Sequence, residues 1–235
     1  MARVLLGVSA GIAIYKVVDL ASCLTRRGDQ VFTLMTRNAT RFVAPLTFRA
    51  VTRQPVFTDT FEEDPEFRPE HISLSDWGQV MVLAPATADL IGRIAAGLGD
   101  DILTTTILAW QKPVVIAPAM NDRMWSNRLV QDNLAKLRGL GFIIVDPEQG
   151  RLACGSYGIG RLAESGTIIK AIDETLLHSP PIPDGTVSSL FDGDAAHRQA
   201  GEGEEAPPWR EETPPSAGSD HRPPGGDSRP GIPSR

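Results

Sequence analysis

Five short and almost wholly apolar runs, separated by stretches of helical period, decide what this chain can fold into. Arg3–Val8, Val31–Met35, Val80–Ala84, Pro113–Ala117 and Phe142–Val145 do not alternate between apolar and polar residues. A strand with one wet face alternates, so runs apolar on both faces predict strands of a sheet that is covered on both sides. Helical patterns stand between them at Ile12–Arg27, Phe42–Val51 around Pro45, Asp89–Leu98, Asp101–Trp110 and Leu129–Leu137, and Thr167–Leu177 closes the series. The alternation predicts an α/β chain in three layers, a doubly wound parallel sheet with helices on both faces. In the first helix, Ile12, Tyr15, Val18, Leu20 and Cys23 are expected to form the buried face, with Arg26, Arg27 and Gly28 at its end. Phe57–Pro69 is acidic and contains proline, which predicts an exposed loop.

The 235 residues are unevenly composed. Residues 178–235 hold 11 of the 19 prolines and 8 of the 22 glycines, and their five arginines face ten acidic residues, so they carry most of the net charge of −6. Such a stretch has too little apolar surface to order itself and is expected to be a disordered tail. Residues 1–177 are nearly neutral and are expected to form the one folded domain. A domain of that size buries roughly 70% of its unfolded surface and needs neither disulfides nor a structural metal. The two cysteines, Cys23 and Cys154, exclude a disulfide scaffold and a four-cysteine zinc site, and no metal is expected. No apolar run reaches the roughly 18 residues of a membrane span, and the Met1 region lacks a signal-peptide layout. A cytoplasmic chain with no membrane partner is the expectation. No basic block or aromatic-interleaved patch points to nucleic acid.

Ligands of doubly wound sheets bind beyond the carboxyl ends of the strands, so the residues that follow each run carry the functional information. After the first comes Gly7-Val8-Ser9-Ala10-Gly11-Ile12-Ala13. Small residues and a hydroxyl at a helix N-terminus can cradle a phosphate, although a tight turn without ligand accounts for them equally well. The loop is neither GxGxxG nor a P-loop, which disfavours a dinucleotide or nucleoside triphosphate. Thr36 and Asn38 after the second run read as an ordinary cap. After the third, Thr87 or Asp89 can cap the next helix, and small Ala86 and Ala88 leave room for a planar ligand. After the fourth, Pro118–Trp125 gathers Met120, Asn121, Met124 and Trp125. Core filling explains the apolar ones but not Asn121, whose amide suits a carboxylate or amide ligand. After the fifth, four glycines (Gly150, Gly155, Gly158, Gly160) surround Cys154, the pattern of a mobile flap carrying a thiol. Cys154 is expected to be reactive and Cys23 to be core. His71 is the one histidine before His178; with Cys154 and Asn121 it makes a set of acid/base, thiol and amide, all expected in loops.

The segments GVSAGIAIYK, APATADL, PAMNDRMW and RLACGSYGIGR, in this order and with His71 before the second, resemble the flavin-containing cysteine decarboxylases over residues 1–177. The similarity is greatest to members that act on 4'-phosphopantothenoylcysteine. The resemblance implies a Rossmann-like, flavodoxin-like flavoprotein that binds FMN. The implied FMN contacts are Ser9, Ala10, Gly11, Ile12 and Ala13, then Thr36 and Phe42, then the turn Thr87, Ala88, Asp89 and Leu90 with Ala119. His71 is implied as the base for substrate oxidation. Asn121 would hold the substrate carboxylate with Met124 nearby, and Cys154 would donate the proton of the final reduction. Ala153 and Gly155 would flank that cysteine in a clamp over the substrate. The implied reaction oxidises the substrate thiol to a thioaldehyde, releases CO2 and returns the electrons from the reduced flavin, giving 4'-phosphopantetheine. Homotrimers or dodecamers of trimers are implied, with sites between subunits.

Two features depart from the family pattern. Asp89 and Leu90 stand where the motif often reads Asn-Thr, which bears on one flavin hydrogen bond. The synthetase domain found in bacterial fusions is not expected after Leu177. Within the resemblance, a peptidyl-cysteine decarboxylase that stops at the enethiol is disfavoured by Cys154. A non-catalytic FMN-binding regulatory protein is disfavoured by the short tail of mixed charge.

Overall fold

In the computed structural model, residues 1–58 and 70–178 are described. Residues 59–69, most of the loop expected over Phe57–Pro69, and residues 179–235, most of the expected tail, lie outside the described residues, while Phe57 belongs to a strand. The central sheet has six parallel strands, β1 (Arg3–Val8), β2 (Gln30–Met35), β3 (Val56–Phe57), β4 (Val80–Ala86), β5 (Val114–Pro118) and β6 (Ile143–Ile144), in the spatial order 3-2-1-4-5-6. The order reverses between β1 and β4, the point at which such sheets open a crevice.

Successive side chains of a strand point to opposite faces, and β1 feeds both cores in this way. Val4, Leu6 and Val8 pack with Ile14, Val17, Ala21 and Leu24 of α1 (Ile14–Arg26), with Phe48 of α2 (Pro45–Thr52) and with Ile168 and Ile172 of the closing helix Ser165–Leu177. On the other face, Leu5 packs with Leu74 and Trp77 of α3 (Glu70–Trp77) and Ile91 and Ile94 of α4 (Ala88–Ala96). Leu103 and Ile107 of α5 (Ile102–Ala109) complete that layer. A short α6 (Asp122–Trp125) and α7 (Arg128–Gly139) follow β5, which makes the closing helix α8. Gly7 lets α5 pack closely across β1, since a Cβ there would press on the Leu103 and Leu83 side chains.

Ends are fixed by local chemistry. Thr87 caps α4 through Leu90 N–H, Gly97 closes it at φ 71°, and Asp101 with Thr104 forms a capping box on α5. The buried Asp29 carboxylate accepts Ala2 N–H at 2.8 Å and Arg27 Nε–H at 2.7 Å, while Arg27 Nη1 reaches Asp173 on α8. These bonds tie the start of β1, the α1–β2 turn and the last helix together.

The fold class is as expected, and four local readings need correction. A sixth strand, β3, is only two residues long and leaves no periodic signal. The buried face of α1 runs through Ile14, Val17, Leu20, Ala21 and Leu24, and both Ile12 and Tyr15 are about 60% exposed. Cys23 is therefore half-buried rather than core, and its Sγ accepts Arg26 Nη2–H at 3.1 Å. His71 lies in the first turn of α3 and not in a loop, because burial of Leu74 and Trp77 on one helical face recruits the segment. The glycine-rich segment expected as a flap is an antiparallel hairpin, β7 (Glu148–Arg151) with β8 (Tyr157–Arg161).

Candidate active site

A cleft of about 1110 Å³ opens at the carboxyl ends of β1, β4 and β5. Ligand sites of single small molecules run to roughly 1,000 Å³, so this one has room for a cofactor and a substrate together. Ser9, Ala10, Gly11, Ile12 and Ala13 line it from the first loop, and Thr36 joins them from the end of β2. Thr87, Ala88 and Asp89 enter from the turn after β4, and Ala119, Asn121 and Met124 from the segment after β5. Ala153 and Cys154 reach it from the hairpin.

Several of these residues are already committed to internal bonds. The buried Ser9 hydroxyl donates to Pro85 O at 2.6 Å and accepts Thr87 N–H at 3.0 Å, so it ties two strand ends rather than facing a ligand. Thr36 Oγ1 accepts Ala39 N–H at 3.3 Å. The side chain of Leu90 is in the core beneath the α4 turn, and its main-chain N–H is spent on Thr87. Phe42 is about half exposed and lines a shallow depression with Ala10 and Asn38, outside the main cleft. Gly155 turns the hairpin tip at φ 90° and does not line the cleft. His71, half-buried on α3, does not line it either.

Asn121 and Cys154 are brought together from segments 33 residues apart. Asn121 caps α6 by accepting Arg123 N–H on Oδ1 at 2.9 Å, which fixes the amide and turns Nδ2 toward Cys154 Sγ at 3.1 Å. The hairpin can lie this close because of two glycines. A Cβ at Gly160 would stand 2.2 Å from Met120 O, and one at Gly158 would stand 2.7 Å from Asp122 Cβ. The Met120 N–H donates to Gly160 O at 2.9 Å across the same contact. Cys154 is exposed, and hydrogen bonding from Ser156 holds its thiol below the ordinary thiol range, with a smaller contribution from Asn121.

Sequence reading missed the charge of this cleft. Lys16, Arg93, Arg151 and Arg161 line it against the one carboxylate of Asp89, in a chain of net charge −6. Three of these cations are paired, Lys16 and Arg161 with Glu164 and Arg93 with Asp100 and Asp101, which leaves Arg151 as the lining cation without an ion pair among the described residues. Lys16 and Arg93 each follow a strand-end turn by one helical turn, a spacing visible in the sequence. Arg93 is anchored by Asp101 at 3.0 Å and stands 3.9 Å from Asp89. Among the described residues, no group of three or more His, Cys, Asp or Glu side chains could hold a metal ion, and no helix is long and apolar enough to cross a membrane.

Comparison with known proteins gives the family and the fold relatives of the chain. The flavoprotein family model matches residues 1–177. The coenzyme A biosynthesis bifunctional protein CoaBC of Bacillus subtilis is 45% identical over 181 residues, which are 77% of this chain and 45% of that protein. CoaBC of Escherichia coli is 40% identical over 182 residues, 77% of this chain and 44% of that protein. The chain thus spans about half the length of the curated relatives it matches. A cysteine-to-serine mutant of a PPC decarboxylase, solved with pantothenoylaminoethenethiol, superposes with a TM-score of 0.68 at 34% identity, covering 74% of this chain and 97% of that one. The FMN-dependent cysteine decarboxylase SpaF gives a TM-score of 0.66 at 32% identity, over 75% of this chain and 96% of that one. The FMN binding protein AtHal3 gives a TM-score of 0.67 at 33% identity, over 77% and 99%. The chain belongs to the flavoprotein family and groups with its cysteine decarboxylases.

Proposed function

We propose that this chain is an FMN-dependent decarboxylase of coenzyme A biosynthesis, converting 4'-phosphopantothenoylcysteine to 4'-phosphopantetheine and CO2. The observation that carries this reading is the Asn121–Cys154 pair, a side-chain amide 3.1 Å from a thiol at the edge of the cleft. The relatives named CoaBC and PPC decarboxylase support the same substrate.

The donor set fits FMN. The main chain of Ala10–Ala13 and of Ala88 and Asp89 offers N–H groups at the starts of α1 and α4, with Thr36 and Ala119 beside them, and Arg151 adds a positive charge that favours a phosphate. When bound, FMN supplies the two-electron acceptor, and later donor, that lets the substrate pass through a thioaldehyde, from which CO2 can leave. The protein's own groups do the rest. Asn121 Nδ2 carries two hydrogens; one faces Cys154 Sγ and the other is left for the substrate carboxylate. His71 accepts the proton that leaves as the thiol is oxidised. Cys154 then protonates the carbon that has lost CO2, a step that an enzyme stopping at the enethiol would not need.

His71 lies outside the cleft of its own chain, and the apolar side chains Ile12, Tyr15 and Met124 are exposed at the cleft. Both observations support a homotrimer, or dodecamers of trimers, in which His71 completes a neighbour's site. The domain is taken as residues 1–177, with 178–235 as a tail, working in the cytoplasm. The test is incubation of the purified protein with 4'-phosphopantothenoylcysteine and, separately, with a Cys-terminal peptide, with products read by mass. Phosphopantetheine from the first alone, from a yellow protein with an FMN spectrum, is the expected result. A colourless preparation that cannot be reconstituted, or turnover of the peptide alone, overturns the reading.

A further inference from the structure

We propose that Ser156 is a positioning residue for the reductive half of the reaction, holding Cys154 Sγ and stabilising the thiolate left when that sulfur gives up its proton. The inference rests on the reading of Cys154 as proton donor and extends it to a residue that the resemblance did not include. Ser156 Oγ lies 3.1 Å from Cys154 Sγ, two residues along the same turn. The turn is closed by Leu152 N–H to Ser156 O at 2.8 Å and Gly155 N–H to Leu152 O at 2.9 Å. With Gly155 at φ 90°, the chain reverses between the two side chains and sets them on one sulfur–oxygen contact.

The proton step explains why a hydroxyl belongs there. An enethiolate remains after CO2 departs. The Cys154 S–H bond breaks, a C–H bond forms at the carbon that carried the carboxylate, and the negative charge moves from the substrate to Sγ. No electrons are exchanged in this step. A hydroxyl, unlike a fixed donor, can serve both states: it accepts the S–H before transfer and rotates to donate to the thiolate after it. Asn121 Nδ2–H approaches the same sulfur at 3.1 Å, so the new charge meets two donors from different elements. The bond that lowers the thiol's proton affinity makes Cys154 a stronger acid toward carbon, and water at this exposed position can then reprotonate it.

The test uses the full chain loaded with FMN and three variants, Ser156→Ala, Ser156→Thr and Cys154→Ser. In Ser156→Ala, the single-turnover release of CO2, one equivalent per FMN, should be unchanged, conversion of the enethiol to phosphopantetheine should slow by about tenfold, and the pH profile of Cys154 alkylation by iodoacetamide should move upward, as expected for loss of one hydrogen bond to an ionised group. Ser156→Thr keeps the hydroxyl and should restore both readings. An unchanged alkylation profile overturns the proposal, and so does slowing that threonine does not rescue, which marks a role in hairpin shape alone. Cys154→Ser separates the two layers of the argument. Accumulation of enethiol in that variant together with normal turnover in Ser156→Ala defeats only the role of Ser156. Full turnover in Cys154→Ser defeats the proton-donor reading itself.

Discussion

The Oδ1 of Asn121 is held by Arg123 N–H at the start of α6, and this leaves its amide hydrogens for the thiol and the cleft. Capping and chemistry therefore use opposite ends of one side chain, and a substitution can separate them. Asp caps as well as Asn but offers no N–H donor and brings a negative charge. Asn121→Asp should leave melting temperature and FMN spectrum near those of the parent. Decarboxylation of phosphopantothenoylcysteine, followed as CO2 release, should fall by at least about 100-fold, because like charges then meet at the proposed carboxylate site. Equal losses of FMN and of activity would instead assign Asn121 to the fold. Sequence alone suggested that Asn121 was more than filler, and the structure adds which of its atoms is free.

The hairpin is the element that turns a strand-end cleft into a candidate catalytic site. It carries Cys154 at its tip and seats on Asp122 of α6 through Gly158 and on the Met120–Asn121 backbone just before α6 through Gly160. Gly160→Ala forces a Cβ against Met120 O from a backbone with φ +153°, at a cost of about 1–3 kcal/mol that falls on the hairpin rather than the sheet. The expected outcome is retained FMN binding with loss of the reductive step, so that CO2 is released and enethiol accumulates. Loss of FMN along with activity would place Gly160 in the fold of the whole domain. Elements of this kind also mark where sequence reading stops. The five apolar runs are legible because burial on both faces removes alternation, and the glycines around Cys154 announce an unusual backbone. They do not announce a hairpin, since closely spaced glycines serve an irregular loop and a tight contact equally. α3 is missed for the opposite reason: the segment around His71 follows an acidic stretch and reads as loop, and only tertiary burial of Leu74 and Trp77 selects the helix. β3 is two residues long and is held by two register pairs to β2, too little for any periodic signal.

At the scale of the whole molecule, the set of His71, Asn121 and Cys154 read from the sequence divides into a pair and an outlier. Asn121 and Cys154 meet within one chain, while His71 sits on α3, whose partners are α5 and the buried face of the sheet. If one site requires both, the histidine must come from another copy, and a trimer built by rotation gives every site one neighbour to supply it. Mixed oligomers test this directly. His71→Asn subunits lack the proposed base and Cys154→Ser subunits lack the proposed proton donor, so neither homo-oligomer should make phosphopantetheine. When the two variants are unfolded and reassembled together, random mixing leaves about a quarter of the sites with a histidine from one subunit and a cysteine from the other. Phosphopantetheine formation should then recover to about that fraction of the parent rate. Activity that stays absent after mixing, with subunit exchange verified by native mass spectrometry, would mean that each chain completes its own site and that α3 must move to bring His71 there.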